Sequence, residues 1–99
     1  MKRSLITLAL TLSVAAPAMA DLALATSKNC MACHAVDKKI VGPGFNEIAK
    51  KHAGKVDYLT GKIKAGGSGV WGPIPMPAQT LPDADAKQIA VWISKGASK

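Results

Sequence analysis

The first twenty residues decide how much chain is left to fold. Met1–Ala20 opens on two cations, Lys2 and Arg3, runs apolar from Leu5 to Ala16 and closes on Ala18-Met19-Ala20. A charged start, a short apolar stretch and an A-x-A end before Asp21 are the marks of a cleaved secretory signal peptide. The apolar run is about a dozen residues, short of the roughly 18 needed to span a bilayer, so a retained membrane anchor is the weaker reading. The expected mature chain, residues 21–99, is therefore 79 of the 99 residues, and loss of Lys2 and Arg3 takes the formal charge from +7 to +5.

A chain of that size buries only about 60% of the surface its unfolded form exposes, so its core is small unless a disulfide, a metal or a large apolar cofactor reinforces it. Length excludes a multi-substrate enzyme, a parallel α/β domain and a repeat array. The lysines are scattered and no basic stretch is interleaved with aromatics, which argues against a nucleic-acid partner. Only Phe45, Tyr58, Trp71 and Trp92 supply aromatic bulk.

The hydrophobic pattern is helical throughout. Leu22 to about Cys33 reads as a first helix, with Leu22, Ala25 and Asn29 on one face. Val41-Gly42-Pro43-Gly44 is loop. Phe45, Ile48, Ala49 and His52 follow i, i+3, i+4, i+7 up to a stop at Gly54, and Val56, Leu59 and Ile63 predict a third helix from about Val56 to Ala65. Gly61 inside that helix costs roughly 1 kcal/mol. From Gly66 to Pro82 the density of glycine and proline leaves only an extended loop. Such a loop is long for so small a domain, and Val70, Trp71, Ile74 and Met76 argue that it packs against something. The last helix is capped by Thr80 with Asp83 three residues on, has Pro82 in its first turn, buries Ile89, Trp92 and Ile93, and stops at Gly96. No strand is expected, and the fold class is all-α.

Both cysteines of the chain stand in Cys30-Met31-Ala32-Cys33-His34. On a helical turn this spacing puts two thiols on one surface, able to add to the two vinyl groups of a haem, with an imidazole beside them to reach the iron. C-x-x-C-H is the attachment signature of c-type haem, and an export signal takes the chain to where attachment occurs. The alternatives are weaker. A Cys30–Cys33 disulfide closes too small a loop to stabilise much, a thioredoxin-like thiol oxidoreductase needs a βαβ setting absent here, and zinc would need His52 as a fourth ligand. For the second axial position of a haem iron the candidates are Met76, His52 or an open site. Met76, held between Pro75 and Pro77, presents a soft thioether from a stiff backbone and is favoured, whereas His52 shares the stripe of Phe45 and Ile48 and reads as a packed residue. Gly67-Ser68-Gly69-Val70-Trp71-Gly72 matches G-x-G-x-x-G but neither follows a strand nor opens a helix, so it is not a dinucleotide site. Its glycines suit close passage of backbone along a flat cofactor edge.

Taken together, Cys30-Met31-Ala32-Cys33-His34, Val41-Gly42-Pro43-Gly44, Gly69-Val70-Trp71-Gly72-Pro73-Ile74-Pro75-Met76-Pro77 and the terminal helix with Trp92 resemble the small bacterial class I cytochromes c, the cytochrome c-551/c-552 group, over essentially all of residues 21–99. The resemblance implies four or so helices wrapped around one covalently attached haem c, with the first and last helices crossing. It implies His34 and Met76 as axial ligands and the Pro43 carbonyl as acceptor of the proximal imidazole N–H. It places Trp71 and Lys62 near a haem propionate and Gln79 near the methionine sulfur. Ala25 and His52 depart from the pattern, standing where that group often carries an aromatic and a phenylalanine.

The implied function is a monomeric periplasmic electron carrier, not an enzyme. Its partners would be periplasmic or membrane-bound redox proteins: a membrane cytochrome complex as donor, and a nitrite reductase, cytochrome c peroxidase or terminal oxidase as acceptor. Lys28, Lys38, Lys39, Lys62 and Lys64 flank the segments around the haem and predict acidic docking patches on those partners. The competing readings are a haem-based sensor or gas binder with a displaceable Met76, and the haem-free thiol oxidoreductase.

Overall fold

The structure, a computed structural model, describes residues 18–98, with side chains from Asp21. Most of the expected leader, residues 1–17, therefore lies outside the described range. Four helices run in order along the chain: α1 (Ala18–Ser27), α2 (Phe45–Lys51), α3 (Val56–Ala65) and α4 (Asp83–Ser94), with a 3-10 turn at Cys30–Ala32. There is no sheet among the described residues; the extended pairings are two isolated bridges, His34 with Lys39 and Gly67 with Met76. None of these helices is long and apolar enough to cross a membrane.

α4 organises the rest, because α1, α2 and α3 all pack on it. Ala86, Ile89, Ala90, Trp92 and Ile93 turn one continuous apolar face inward, with Ala25 of α1, Phe45 and Ile48 of α2, and Leu59 and Ile63 of α3 against it. Small residues at Ala25, Ala86 and Ala90 are completely covered, which lets helices approach closely. The C-terminus of α4 is closed by a Schellman motif in which Gly96 N–H donates to Ile93 O and Ala97 N–H to Trp92 O. The indole N–H of Trp92 donates to Ser98 O at 2.9 Å and secures the chain end.

Element boundaries differ from the sequence expectation at both ends of the first helix, which begins at Ala18 and not at Leu22, and at the start of the last. The first helix stops at Ser27, not near Cys33, because Asn29 takes a left-handed conformation at φ 66°. Asparagine tolerates that region better than most residues, and its turn re-aims the chain so that Cys30–Ala32 start a separate 3-10 turn. At the other end Thr80 is not the cap of α4: Pro82 is, in extended conformation and with no side-chain hydrogen bond. Asp83 and Asp85 then lie in the first turn, where their charge complements the helix dipole.

Candidate cofactor site

The helices leave a cavity of about 260 Å³, open on one side and walled by the turn at Cys30–Ala32 with the residues after it, α2, α3 and the 66–82 loop. Cys30, Cys33 and His34 line one wall. Asn29's left-handed conformation starts the 3-10 turn at Cys30, and Cys33 caps it. Its last bonds, from Cys33 N–H and His34 N–H to Cys30 O, hold the three residues together. Further backbone bonds tie this turn to the segment leading into α2: Gly42 N–H donates to Cys33 O at 2.7 Å, Phe45 N–H to Ala35 O and Asn46 N–H to Val36 O. The start of α2 is thus fastened to the residues flanking His34.

That fastening orients the imidazole. His34 Nδ1 lies 2.7 Å from Pro43 O. A carbonyl only accepts, so Nδ1 carries the proton and Nε2 keeps its lone pair, the tautomer an imidazole needs in order to ligate through Nε2. The Phe45 ring stacks on it at 5.0 Å and 21°, and Phe45 in turn meets Trp92 edge-on at 5.4 Å. Gly42 closes the arrangement, since a Cβ there would sit 2.6 Å from His34 Cε1. No other residue allows the backbone so near the ring.

Met76 comes to the same cavity from the long loop. Its backbone exchanges both hydrogen bonds with Gly67, each at 2.9 Å. Gly66, at φ +68°, lies so close to this pair that a Cβ would overlap the Met76 carbonyl oxygen, so glycine is required there by both conformation and space. Gln79 donates from Nε2 to Pro77 O at 2.8 Å and from its backbone to Ile63 O, anchoring the loop's far end to α3. Lys62 and Trp71 also line the cavity. Trp71 is 42% exposed and Ile74 62%; the loop's apolar side chains border the cavity and its rim.

The alternative chemistries find no support in the structure. The two cysteines are not joined by a disulfide. Partial burial pushes the Cys30 thiol up from its ordinary value, the opposite of the activation a thiol oxidoreductase requires. No cluster of three His, Cys, Asp or Glu side chains able to hold a metal ion forms among the described residues. Of the five lysines expected to flank the site, Lys28 pairs with Asp85 at 3.5 Å and Lys64 with Asp83, both on α4. Among the cavity residues that the sequence does not mark as part of a site are Gly42, Tyr58 and Gly66. Gly42 is legible only as loop punctuation, although its place directly before Pro43 is a usable signal.

A family model described as cytochrome c matches residues 22–97. The chain belongs to the cytochrome c family. Among curated relatives, cytochrome c-552 of Hydrogenobacter thermophilus is 60% identical over 73 residues, 71% of this chain and 74% of that protein. Cytochrome c-552 of Nitrosomonas europaea is 56% identical over 86 residues, 83% of this chain and 84% of that one. The crystal structure of wild-type Nitrosomonas europaea cytochrome c552 matches at a TM-score of 0.73 and 52% identity, covering 76% of this chain and 98% of that chain.

Cytochromes c of this kind bind one covalently attached haem c, and the residues present fit it. Two unpaired thiols and an imidazole with a free Nε2 share one wall, a thioether shares the cavity, and glycines 42 and 66 stand where a side chain would intrude. The donor set, soft sulfur with imidazole, is one that suits haem iron.

Proposed function

We propose that this cytochrome c is a periplasmic electron carrier whose haem is held through Cys30 and Cys33, with His34 and Met76 as axial ligands. When bound, the haem supplies a one-electron couple. The observation that carries the ligand assignment is the 2.7 Å bond from His34 Nδ1 to Pro43 O, which leaves Nε2 free beside the two cysteines. With an imidazole and a thioether both committed to iron, no coordination position is left for a substrate, and the protein carries charge without transforming anything.

Each residue then has a definable task. Pro43 raises the basicity of the imidazole by accepting its proton-bearing side. Met76 donates weakly to ferric iron and so favours the ferrous form, while its paired bonds with Gly67 fix the backbone from which the side chain extends. Ile40, Val41, Val70 and Ile74 are exposed, and Val41, Val70 and Ile74 border the cavity. They provide an apolar rim through which a redox partner can approach while water is kept back. Lys38 and Lys39 are exposed beside it and supply the charge that steers acidic partners.

The decisive experiment is the absorption spectrum of protein prepared from a bacterial periplasm, together with its intact mass. A low-spin six-coordinate spectrum in both oxidation states is the expected result. A five-coordinate high-spin spectrum would make the protein a gas binder, and absence of a Soret band would overturn covalent haem altogether.

A further inference from the structure

We infer that His52 hydrogen-bonds a haem propionate and acts as a redox-linked proton site of this cytochrome. The inference rests on the carrier reading above and extends it to the carboxylate edge of the cofactor.

His52 closes the C-terminus of α2 and is only 8% exposed, yet neither Nδ1 nor Nε2 has a hydrogen-bond partner. A buried polar group left unpaired costs more than a made bond contributes, so such a ring calls for a partner. The polypeptide offers none. From α3 the Tyr58 ring lies 4.7 Å away, and from the long loop the Trp71 ring meets it edge-on at 6.3 Å. The charged groups acting on it are Lys51 beside it on α2 and Lys55 in the turn to α3, both cations. Lys62, from α3, lines the same cavity, as does Lys39; no aspartate or glutamate does among the described residues.

His52 also lines that cavity. The missing partner must therefore arrive with whatever fills it, and the basic lining favours an anion. The periphery of a c-type haem carries methyl groups, thioether links and two propionates, and only the propionates can form hydrogen bonds. His52 accordingly marks where one of them lies.

This placement makes the ring a proton site. Burial first, and then the charges of Lys55 and Lys51, push the imidazole down from its ordinary value. A carboxylate partner opposes both effects and returns protonation to the accessible range. The imidazolium's positive charge favours ferrous over ferric iron. Reduction thus takes one electron from the donor protein and draws a fractional proton from solvent onto His52, and oxidation by the acceptor returns both. The potential falls as pH rises through the histidine's titration, and by reciprocity His52 holds its proton more tightly in the reduced protein.

The test uses the holoprotein. The chain has only two histidines, and His34 is committed to iron, so the His52 ring is the one imidazole that titrates by NMR. Its ring resonances are expected to titrate between about pH 5 and 8, with a several-fold higher proton affinity in the ferrous form than in the ferric. The midpoint potential is expected to fall with pH over the same range, and to be flat in His52→Gln, which keeps an N–H donor but cannot titrate. A ring that stays neutral down to about pH 5, equal affinity in both oxidation states, or a pH dependence that persists in H52Q each overturns the assignment. The NMR measurement needs no variant. A six-coordinate holoprotein with a neutral His52 leaves the carrier reading standing, whereas a chain without covalent haem overturns both.

Discussion

Replacing Gly42 by alanine measures how firmly the chain holds His34. The added Cβ would lie 2.6 Å from Cε1, 3.0 Å from Nδ1 and 3.2 Å from Nε2 of the imidazole. Carbon contacts settle at about 3.5 to 4.0 Å, so the ring must retreat by about 1 Å. The Nδ1–Pro43 O distance of 2.7 Å then grows to roughly 3.5 Å, beyond a useful hydrogen bond. Retreat is resisted by Phe45, stacked on the imidazole and itself buried against Trp92. Backbone strain does not enter, since Gly42 is not among the residues with positive φ.

Overpacking of this kind costs about 1 to 3 kcal/mol, and a lost hydrogen bond about 0.5 to 1.5. The expected destabilisation is about 2 to 4 kcal/mol, against a total of about 4 to 12 kcal/mol for a domain of this size. Guanidinium unfolding of the holoprotein reads that loss directly. A second readout separates ring displacement from general damage: without the Pro43 acceptor the imidazole is a poorer donor, ferric iron is less supported, and the potential rises. Unchanged stability, or lost stability with an unchanged potential, would refute the view that Gly42 sets the ring's position.

Met76→Ala should leave the haem attached but open one axial position, so that carbon monoxide binds the ferrous protein readily and the potential falls; a variant that still excludes carbon monoxide would show that another residue ligates. Gly66→Ala should destabilise the holoprotein by at least about 1 to 3 kcal/mol, the range for forced overpacking, and perturb the Met76 side of the spectrum, because the new methyl meets the Met76–Pro77 backbone. Lys39→Glu should slow electron transfer to an acidic partner at low salt more than Lys28→Glu does, since Asp85 already engages Lys28; rates that do not vary with ionic strength in stopped-flow would remove charge from the docking mechanism. The mature protein is expected to begin at Asp21 and to carry one haem with no free thiol, which intact mass after acid and acetone treatment checks.

α3 appears with the bounds its pattern suggests because everything that defines it is local: Leu59 and Ile63 on one face and Gly66 at its end. The end of α1 is not legible in the same way. Residues 28–33 contain no helix breaker, and the stop comes from Asn29 adopting a conformation that serves the turn carrying Cys30 and Cys33. The cap of α4 misleads for the opposite reason, since Thr80 and Asp83 satisfy the capping pattern while the chain continues extended to Pro82. At the site, Cys30, Cys33 and His34 stand out in the sequence by their spacing, but the glycine packed against the imidazole does not. Gly42 acts by having no side chain, and no periodicity reports that. His52 lies on the expected buried stripe, and the fact that its nitrogens stay unpaired depends on Tyr58 and Trp71, which reach it from α3 and the long loop.

The small size of the chain and the chemistry of its cysteines explain one another. Phe45, Ile48, Leu59, Ile63 and Ile93 belong to the hydrophobic core and also line the cavity, so the core has one side built from α4 and its neighbours and another that faces the cofactor. A reversible ligand would stabilise such a fold only in proportion to its free concentration over its dissociation constant. Two thioether bonds remove that dependence, because the attached group is always at the effective concentration of an intramolecular partner. On the proposed attachment through Cys30 and Cys33, the pair turns the occupant of the cavity into a permanent part of the core. On the same proposal the long 66–82 segment is left to present Met76 and a rim for partners, since packing the interior no longer falls to that segment.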